Sequence, residues 1–197
     1  ENEQAFWVMY SITPNQVDGK FKMPFQFKID PLVKTKSATD EDYQEPVYDR
    51  GHLCPAGSMT NDSIARAETY YYSNISPQIP TFNGGIWMKL ENLVRNYALK
   101  YNKVWVRTGP VFKYNLGSIG PNEVTVPGFF YKIVFNGSDK MIGFMVPHKK
   151  LNADPFSFAV SVDSVERATG IDFFPDLPTN IQRELESTYD SEFWNPD

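Results

Sequence analysis

Two histidines occur in the 197 residues of this chain, and one of them, His52, stands in VYDRGHLCPAG (47–57), two residues after Arg50. Read as a strand, residues 47–53 alternate faces, so Arg50 and His52 point the same way. Gly51 between them leaves no side chain on the opposite face. An arginine fork beside a neutral imidazole suits an anionic substrate, because the guanidinium holds an oxyanion while the histidine takes a proton. The neighbouring positive charge favours the neutral, proton-accepting imidazole. The same tetrapeptide also accommodates a histidine satisfied at a strand end by a backbone carbonyl.

Two further segments carry polar side chains suited to such chemistry. SNISPQ (73–78) supplies Asn74 and Gln78, amides that in loops usually make turns. FNGGIWMKLE (82–91) puts Asn83 at or just before a helix start and Glu91 two turns further on. On an ideal helix these positions lie about 12 Å apart along the axis, too far for both to ligate one ion directly. Asn83 can bind an ion through its amide oxygen while Glu91, reaching back toward the N-terminus, accepts from the ion's water. That pattern fits Mg²⁺, which keeps most of its waters and takes few protein ligands. The structural alternative is a helix-capping asparagine and a solvated glutamate.

Composition narrows the chemistry. Cys54 is the single cysteine, which excludes an internal disulfide and a multi-cysteine zinc site. With only His52 and His148 available, oxygen ligands must dominate any metal site, favouring Mg²⁺, Ca²⁺ or Mn²⁺. The net charge of −5 repels a polyanion overall, so a nucleic-acid site requires a local positive patch. No apolar run approaches the roughly 18 to 20 residues of a membrane span, and no membrane association is expected. The chain opens at Glu1 rather than Met, as expected of a processed or a trimmed form, so a targeting segment would not be visible.

The elements that must position these residues follow from periodicity and turn chemistry. AFWVMYSI (5–12) and the second half of FKMPFQFKID (21–30) read as strands, and 34–46 as an exposed polar loop. PVYDRGHL reads as a strand ended by Pro55 and Gly57. Asn61 or Asp62 caps a helix through IARAETYYY, and SNISPQIPTFNGG is too rich in turn residues for regular structure. Trp87, Leu90, Val94, Tyr97 and Tyr101 recur at helical spacing. NKVWVRTGPVF, PGFFYKIVFNG and KMIGFMVP are strands with breaks at Gly109-Pro110, Asn136-Gly137 and Pro147. VDSVERATG and TNIQRELEST are short helices. Without βαβ alternation or a phosphate-binding glycine loop, the expected class is α+β on a mainly antiparallel sheet flanked by helices, in one domain spanning 1–197.

DRGH (49–52), NISPQ (74–78) and N-x-x-x-W-x-x-x-E (83–91) occur in this order, and the series closely resembles the DNA/RNA non-specific endonucleases. TGPVF (108–112), VPGFFYKIVF (126–135) and VDSVERATGIDFFPDLP (162–178) extend the resemblance over most of the chain from about residue 5. It implies a ββα-metal (His-Me finger) core, with a strand pair and a helix around one divalent ion. By position His52 is similar to the family's general base and Asn83 to its single direct magnesium ligand. Glu91 is similar to the acidic residue that orients the ion's waters, and Asn74 to a hydrogen-bonding residue near the scissile phosphate. The resemblance further implies that Arg50 steadies phosphate charge and that Asp49 orients the motif rather than reacting. The implied activity is Mg²⁺-dependent cleavage of DNA and RNA without sequence preference, leaving 5′-phosphate ends, with Mn²⁺ able to substitute. The family further implies a periplasmic or secreted protein and a possible protein inhibitor; it does not specify the oligomeric state.

Two departures stand out. Arg50 is the first arginine of the chain, whereas secreted members often carry one upstream of DRGH, a place that lysines 20, 22 and 28 would have to fill with point charges instead of a fork. Gly84 stands where a glutamine frequently follows the ligand asparagine. Elsewhere, His148 in VPHKK reads as a solvated turn residue and Cys54 as packing. Of Tyr70, Tyr71 and Tyr72 at least one is expected in the core, and Arg95 and Arg107 read as solvated charges or a phosphate track. Two other functions share the motif: a catalytically silent module binding nucleic acid or protein, and a hydrolase of another phosphodiester.

Overall fold

The computed structural model describes residues 2–21 and 25–195. Along the chain these form β1 (Val8–Ile12), α1 (Pro14–Val17), β2 (Asp49–His52), α2 (Ser63–Glu68), β3 (Ile75–Gln78) and α3 (Met88–Tyr101). There follow β4 (Val104–Ile119), β5 (Val124–Phe135), β6 (Met141–Pro147), β7 (Ala159–Val160), α4 (Val162–Thr169), α5 (Thr179–Glu186) and α6 (Ser191–Trp194). Strands β1-β4-β5-β6-β7 make one sheet in that order, antiparallel throughout, and β2-β3 make a separate antiparallel pair. The architecture is mixed α+β, as the sequence predicts.

Side-chain alternation gives the large sheet two apolar faces. Val104, Val106, Phe130, Val134, Ile142 and Phe144 pack with α3 in the main core. The intervening residues Tyr131, Ile133 and Met141 pack with Val162 and Val165 of α4 in a second core. In α3 the residues Leu90, Val94 and Tyr97 are buried together with the preceding Trp87, so the helical stripe is the one expected from spacing. Asn102, in the left-handed region at φ 66°, ends the helix. Gly170 does the same for α4 at φ 74°.

Several sequence expectations are corrected. Residues 75–78, expected to be irregular, form a buried strand. Pro77 is tolerated there because a two-stranded ladder leaves each strand one open edge for the missing N–H. The 34–46 segment is exposed over most of its length, as expected, but it is anchored at three residues. Ala38, Asp42 and Tyr43 are buried, Asp42 accepting from the Asn122 backbone and side-chain amides at 2.9 Å and Tyr43 stacking on Tyr72. The 21–30 strand is reduced to a bridge between Lys28 and Tyr71, while Lys22 and Pro24 lie outside the described residues. Asp62 caps α2 by accepting from Ile64 and Ala65, but the helix ends before the tyrosines. Strand β4 runs through Gly109-Pro110. Its pairing with β1 stops at Thr108, so Pro110 sits where β4 has β5 as its single neighbour.

Candidate active site

His52 closes β2, opposite Ile75 of β3. Its ring lies edge-on to Tyr70, centroids 4.9 Å apart, and against Phe27 at 5.8 Å. The Arg50 guanidinium sits 5.4 Å from the same Phe27 ring, so the two side chains share a face, as alternation requires. The Nε2 atom of His52 is buried and has no hydrogen-bond partner. Burial, reinforced by the charge of Arg66, pulls the imidazole down to about 4. The ring is therefore neutral at physiological pH and one nitrogen is uncommitted, which is what a proton acceptor needs.

The backbone that carries this ring is clamped at three successive carbonyls. Trp87 Nε1 donates to the His52 carbonyl at 3.1 Å, Lys132 Nζ to Leu53 at 3.0 Å, and Asn74 Nδ2 to Cys54 at 2.9 Å. Each donor comes from a different part of the fold, so the turn leaving β2 is tied at once to the helix, the large sheet and the β3 entry. Gly51 leaves room for Gln78: a Cβ there would lie 2.2 Å from the buried Gln78 side chain, which would have to move.

Asn83 lies in a wide π-type turn, Phe82–Trp87, that leads into α3, with Gly85 off helical geometry at φ −110°, ψ −111°. Such turns concentrate at functional sites, and the ideal-helix spacing between Asn83 and Glu91 does not apply here. Asn83 Nδ2 donates to the Asp49 carboxylate at 2.9 Å. A carboxylate only accepts, so the nitrogen must face Asp49 and the amide oxygen is left free for another partner. Two turns on, the half-buried Glu91 carboxylate is pushed up by burial and held back by Lys132 and Arg95. A free amide oxygen and a carboxylate further along the same segment, with no thiolate between them, are oxygen donors of the kind that fit a hard divalent cation.

Asn74 does not stand free. Its Oδ1 accepts from the Cys54 N–H at 2.8 Å, and its Nδ2 donates to the carbonyls of Cys54 and Thr69 at 2.9 and 2.8 Å. Both amide protons are taken by backbone carbonyls here, so Asn74 ties the loop after His52 to the end of α2. Arg50 donates through Nε to Tyr72 at 3.1 Å and through one terminal nitrogen to Asp40 at 2.9 Å. The Asp40 side chain is 72% exposed, so this ion pair is weak and exchangeable.

His148 is the clearest miss of sequence reasoning. It is buried, with Nε2 accepting from the Ile79 N–H and Nδ1 donating to the Pro127 carbonyl, both at 2.7 Å. A histidine satisfied on both sides joins the β3 exit to β5 and is no solvated turn residue. Cys54 is buried packing, and burial pushes its thiol up to about 12. Tyr70 and Tyr72 are both core residues. Arg107 stacks 3.8 Å over Phe174, and Arg95 reaches Ser58 at 3.4 Å. Lys20 and Lys28 are exposed. Lys132 went unnoticed, although a lone lysine inside FFYKIVF was a signal: strand alternation places it on the face of Phe130 and Val134. It is fully buried, lies 4.2 Å over the Trp87 ring, and is lowered to about 8 by burial against the pull of Glu91.

The antiparallel β2–β3 pair and α3 beside a five-stranded antiparallel sheet define a mixed α+β protein with an EndoG-like fold. A solved structure of the EndoG/EndoGI complex, described as giving the mechanism of EndoG inhibition, matches with TM-score 0.82 and 29% identity over 94% of this chain and 83% of that one. Residues 1–180 match the DNA/RNA non-specific endonuclease family, and the chain belongs to it. Endonuclease G, mitochondrial, of Homo sapiens is 32% identical over 193 residues, 88% of this chain and 64% of that protein. Nuclease EXOG, mitochondrial, of Danio rerio is 34% identical over 191 residues, 87% of this chain and 56% of that protein. Nuclease C1 of Cunninghamella echinulata var. echinulata is 32% identical over 201 residues, 92% of this chain and 80% of that protein. The chain thus spans little more than half to two thirds of the first two of these relatives. Among the described residues no helix is long and apolar enough to cross a membrane.

Proposed function

We propose that the protein is a metal-dependent endonuclease that hydrolyses phosphodiester bonds of DNA and RNA without sequence preference, leaving 5′-phosphate ends. The observation that carries this reading is the buried, unpartnered and neutral Nε2 of His52 on a turn clamped at three carbonyls. His52 takes a proton from the attacking water as its oxygen bonds to phosphorus and the P–O3′ bond breaks. Arg50 exchanges its exposed partner Asp40 for a phosphate oxygen. Asn83, oriented by Asp49, would hold Mg²⁺, or Mn²⁺ in its place, through its amide oxygen, and Glu91 would accept hydrogen bonds from the ion's waters. The bound ion supplies charge stabilisation for the pentavalent phosphorus and the departing 3′ oxygen. Asn74, Lys132 and Trp87 position the base.

This reading treats 1–197 as one domain, since β4 and β5 serve the cores on both faces of the sheet. The family expectation of a periplasmic or secreted protein belongs to the proposal, beside relatives named mitochondrial, and so does control by a protein inhibitor, as in the EndoG/EndoGI complex. Plasmid nicking with and without Mg²⁺ is the test. Cleavage that needs the ion and leaves 5′-phosphates supports the reading. Binding without cleavage in Mg²⁺ or Mn²⁺ would replace it by a silent binding module, and cleavage of small diesters alone by a different phosphodiesterase.

A further inference from the structure

We propose that Asp163, Glu166 and Glu186 form a separate site for a divalent cation of calcium type, on the sheet face opposite α3. Asp163 and Glu166, three residues apart on α4, lie on one side of that helix, and Glu186 is the last residue of α5. Their ligand oxygens all lie within 4.8 Å of one another. Three carboxylate oxygens this close can share one divalent cation, and an all-carboxylate protein set suits calcium better than magnesium, which keeps most of its waters.

A second observation points to a ligand. Glu186 is 4% exposed, and its Oε1 is buried without a hydrogen-bond partner. A buried carboxylate oxygen with no donor is costly, and its place at the C-terminal end of a helix makes the charge less favourable still. Neighbouring groups do not resolve this. Glu166 Oε1 accepts from the Phe173 N–H at 2.8 Å, and Asp172 from the Phe174 N–H at 3.0 Å. Arg107 is the nearby cation, but its guanidinium stacks on Phe174 and makes no ion pair with the three carboxylates among the described residues. Burial, then Glu166, Asp172 and Asp163, push the Glu186 carboxyl up to about 7, with Arg107 opposing. A cation joining the three oxygens would keep Glu186 charged; without one it takes up a proton.

The site is independent of the proposed activity and is tested without it. Calcium chloride is titrated calorimetrically into the EDTA-treated, dialysed Asn83→Ala variant, which lacks the other proposed ion ligand, and into Asn83→Ala/Glu186→Gln. Thermal unfolding is followed in parallel from pH 5 to 8. One calcium should bind the first protein and raise its Tm by roughly 5 °C at 100-fold excess over Kd; the second should show neither effect. If Glu186→Gln does not fold, Asp163→Asn, at a half-exposed position, takes its place. No heat and no Tm shift in the Asn83→Ala protein, or a response that survives removal of the carboxylate, overturns the proposal. So does a Tm that falls as pH rises through about 7 with no response to calcium, since Glu186 then takes up only a proton.

Discussion

The Asn83 amide donates to the Asp49 carboxylate at 2.9 Å, so a residue at the start of β2 decides which atom the π-type turn before α3 presents to the site. Remove that acceptor and the amide is free to rotate. Asp49→Ala should therefore lower metal affinity and turnover about 10- to 100-fold, the range typical when the partner of a metal ligand is lost. Calorimetric Mn²⁺ titration and initial cleavage rates check it. Wild-type values for both would mean that Asp49 does not orient Asn83.

His52→Ala should abolish cleavage while leaving nucleic-acid binding nearly intact. A general base contributes about 10² to 10⁴ in rate, and His148 is locked between Ile79 and Pro127, unable to replace it. A purified variant retaining more than a tenth of the wild-type rate would overturn the assignment.

Acid should reveal the same histidine. Its folded value of about 4 lies below the ordinary 6.5, so the unfolded chain binds the proton first. The stability owed to neutral His52 is present above pH 6.5, is lost as pH falls from 6.5 toward 4, and levels off below. Urea unfolding across that window should show a decline that His52→Ala flattens, and the acid limb of kcat/KM should fall near 4 in the free enzyme. An acid limb at 6.5 would contradict the burial argument.

Lys132→Met keeps the volume of the side chain but leaves the Leu53 carbonyl without its donor. That should cost about 1 to 3 kcal/mol of stability and lower kcat about tenfold or more with little change in KM, because the base is displaced while phosphate contacts remain. Urea unfolding and steady-state kinetics read the two effects. Unchanged kcat in a destabilised variant would leave Lys132 a purely structural role.

Cleavage of matched DNA and RNA substrates below saturation should fall steeply with salt at fixed Mg²⁺. Arg50 and the amides address phosphate rather than base edges, each neutralised phosphate releases counterions, and a net charge of −5 opposes approach. A flat salt profile, or a sharp preference for one sequence, would remove phosphate contacts from the centre of recognition.

By itself the sequence determined the parts whose signals are local. The period of α3 was legible in Trp87, Leu90, Val94 and Tyr97, the cap of α2 in Asp62, the stop of α4 in Gly170, and the order DRGH, asparagine, glutamate in plain residue types. Periodicity, capping and motif order all act over a few residues, so a one-dimensional reading captures them. What only the tertiary structure decided concerns partners far apart in the chain. Strand β3 looked irregular because its order comes from pairing with β2, 29 residues back in the register Asp49 to Gln78. His148 looked solvated until Ile79 and Pro127 closed on it, and Asn74 looked free until Cys54 and Thr69 took its amide. Lys132 passed unnoticed because its use depends on Leu53, Trp87 and Glu91 converging from three other elements. A polar group's role is set by what satisfies it once water is excluded, and that inventory exists only in the folded chain.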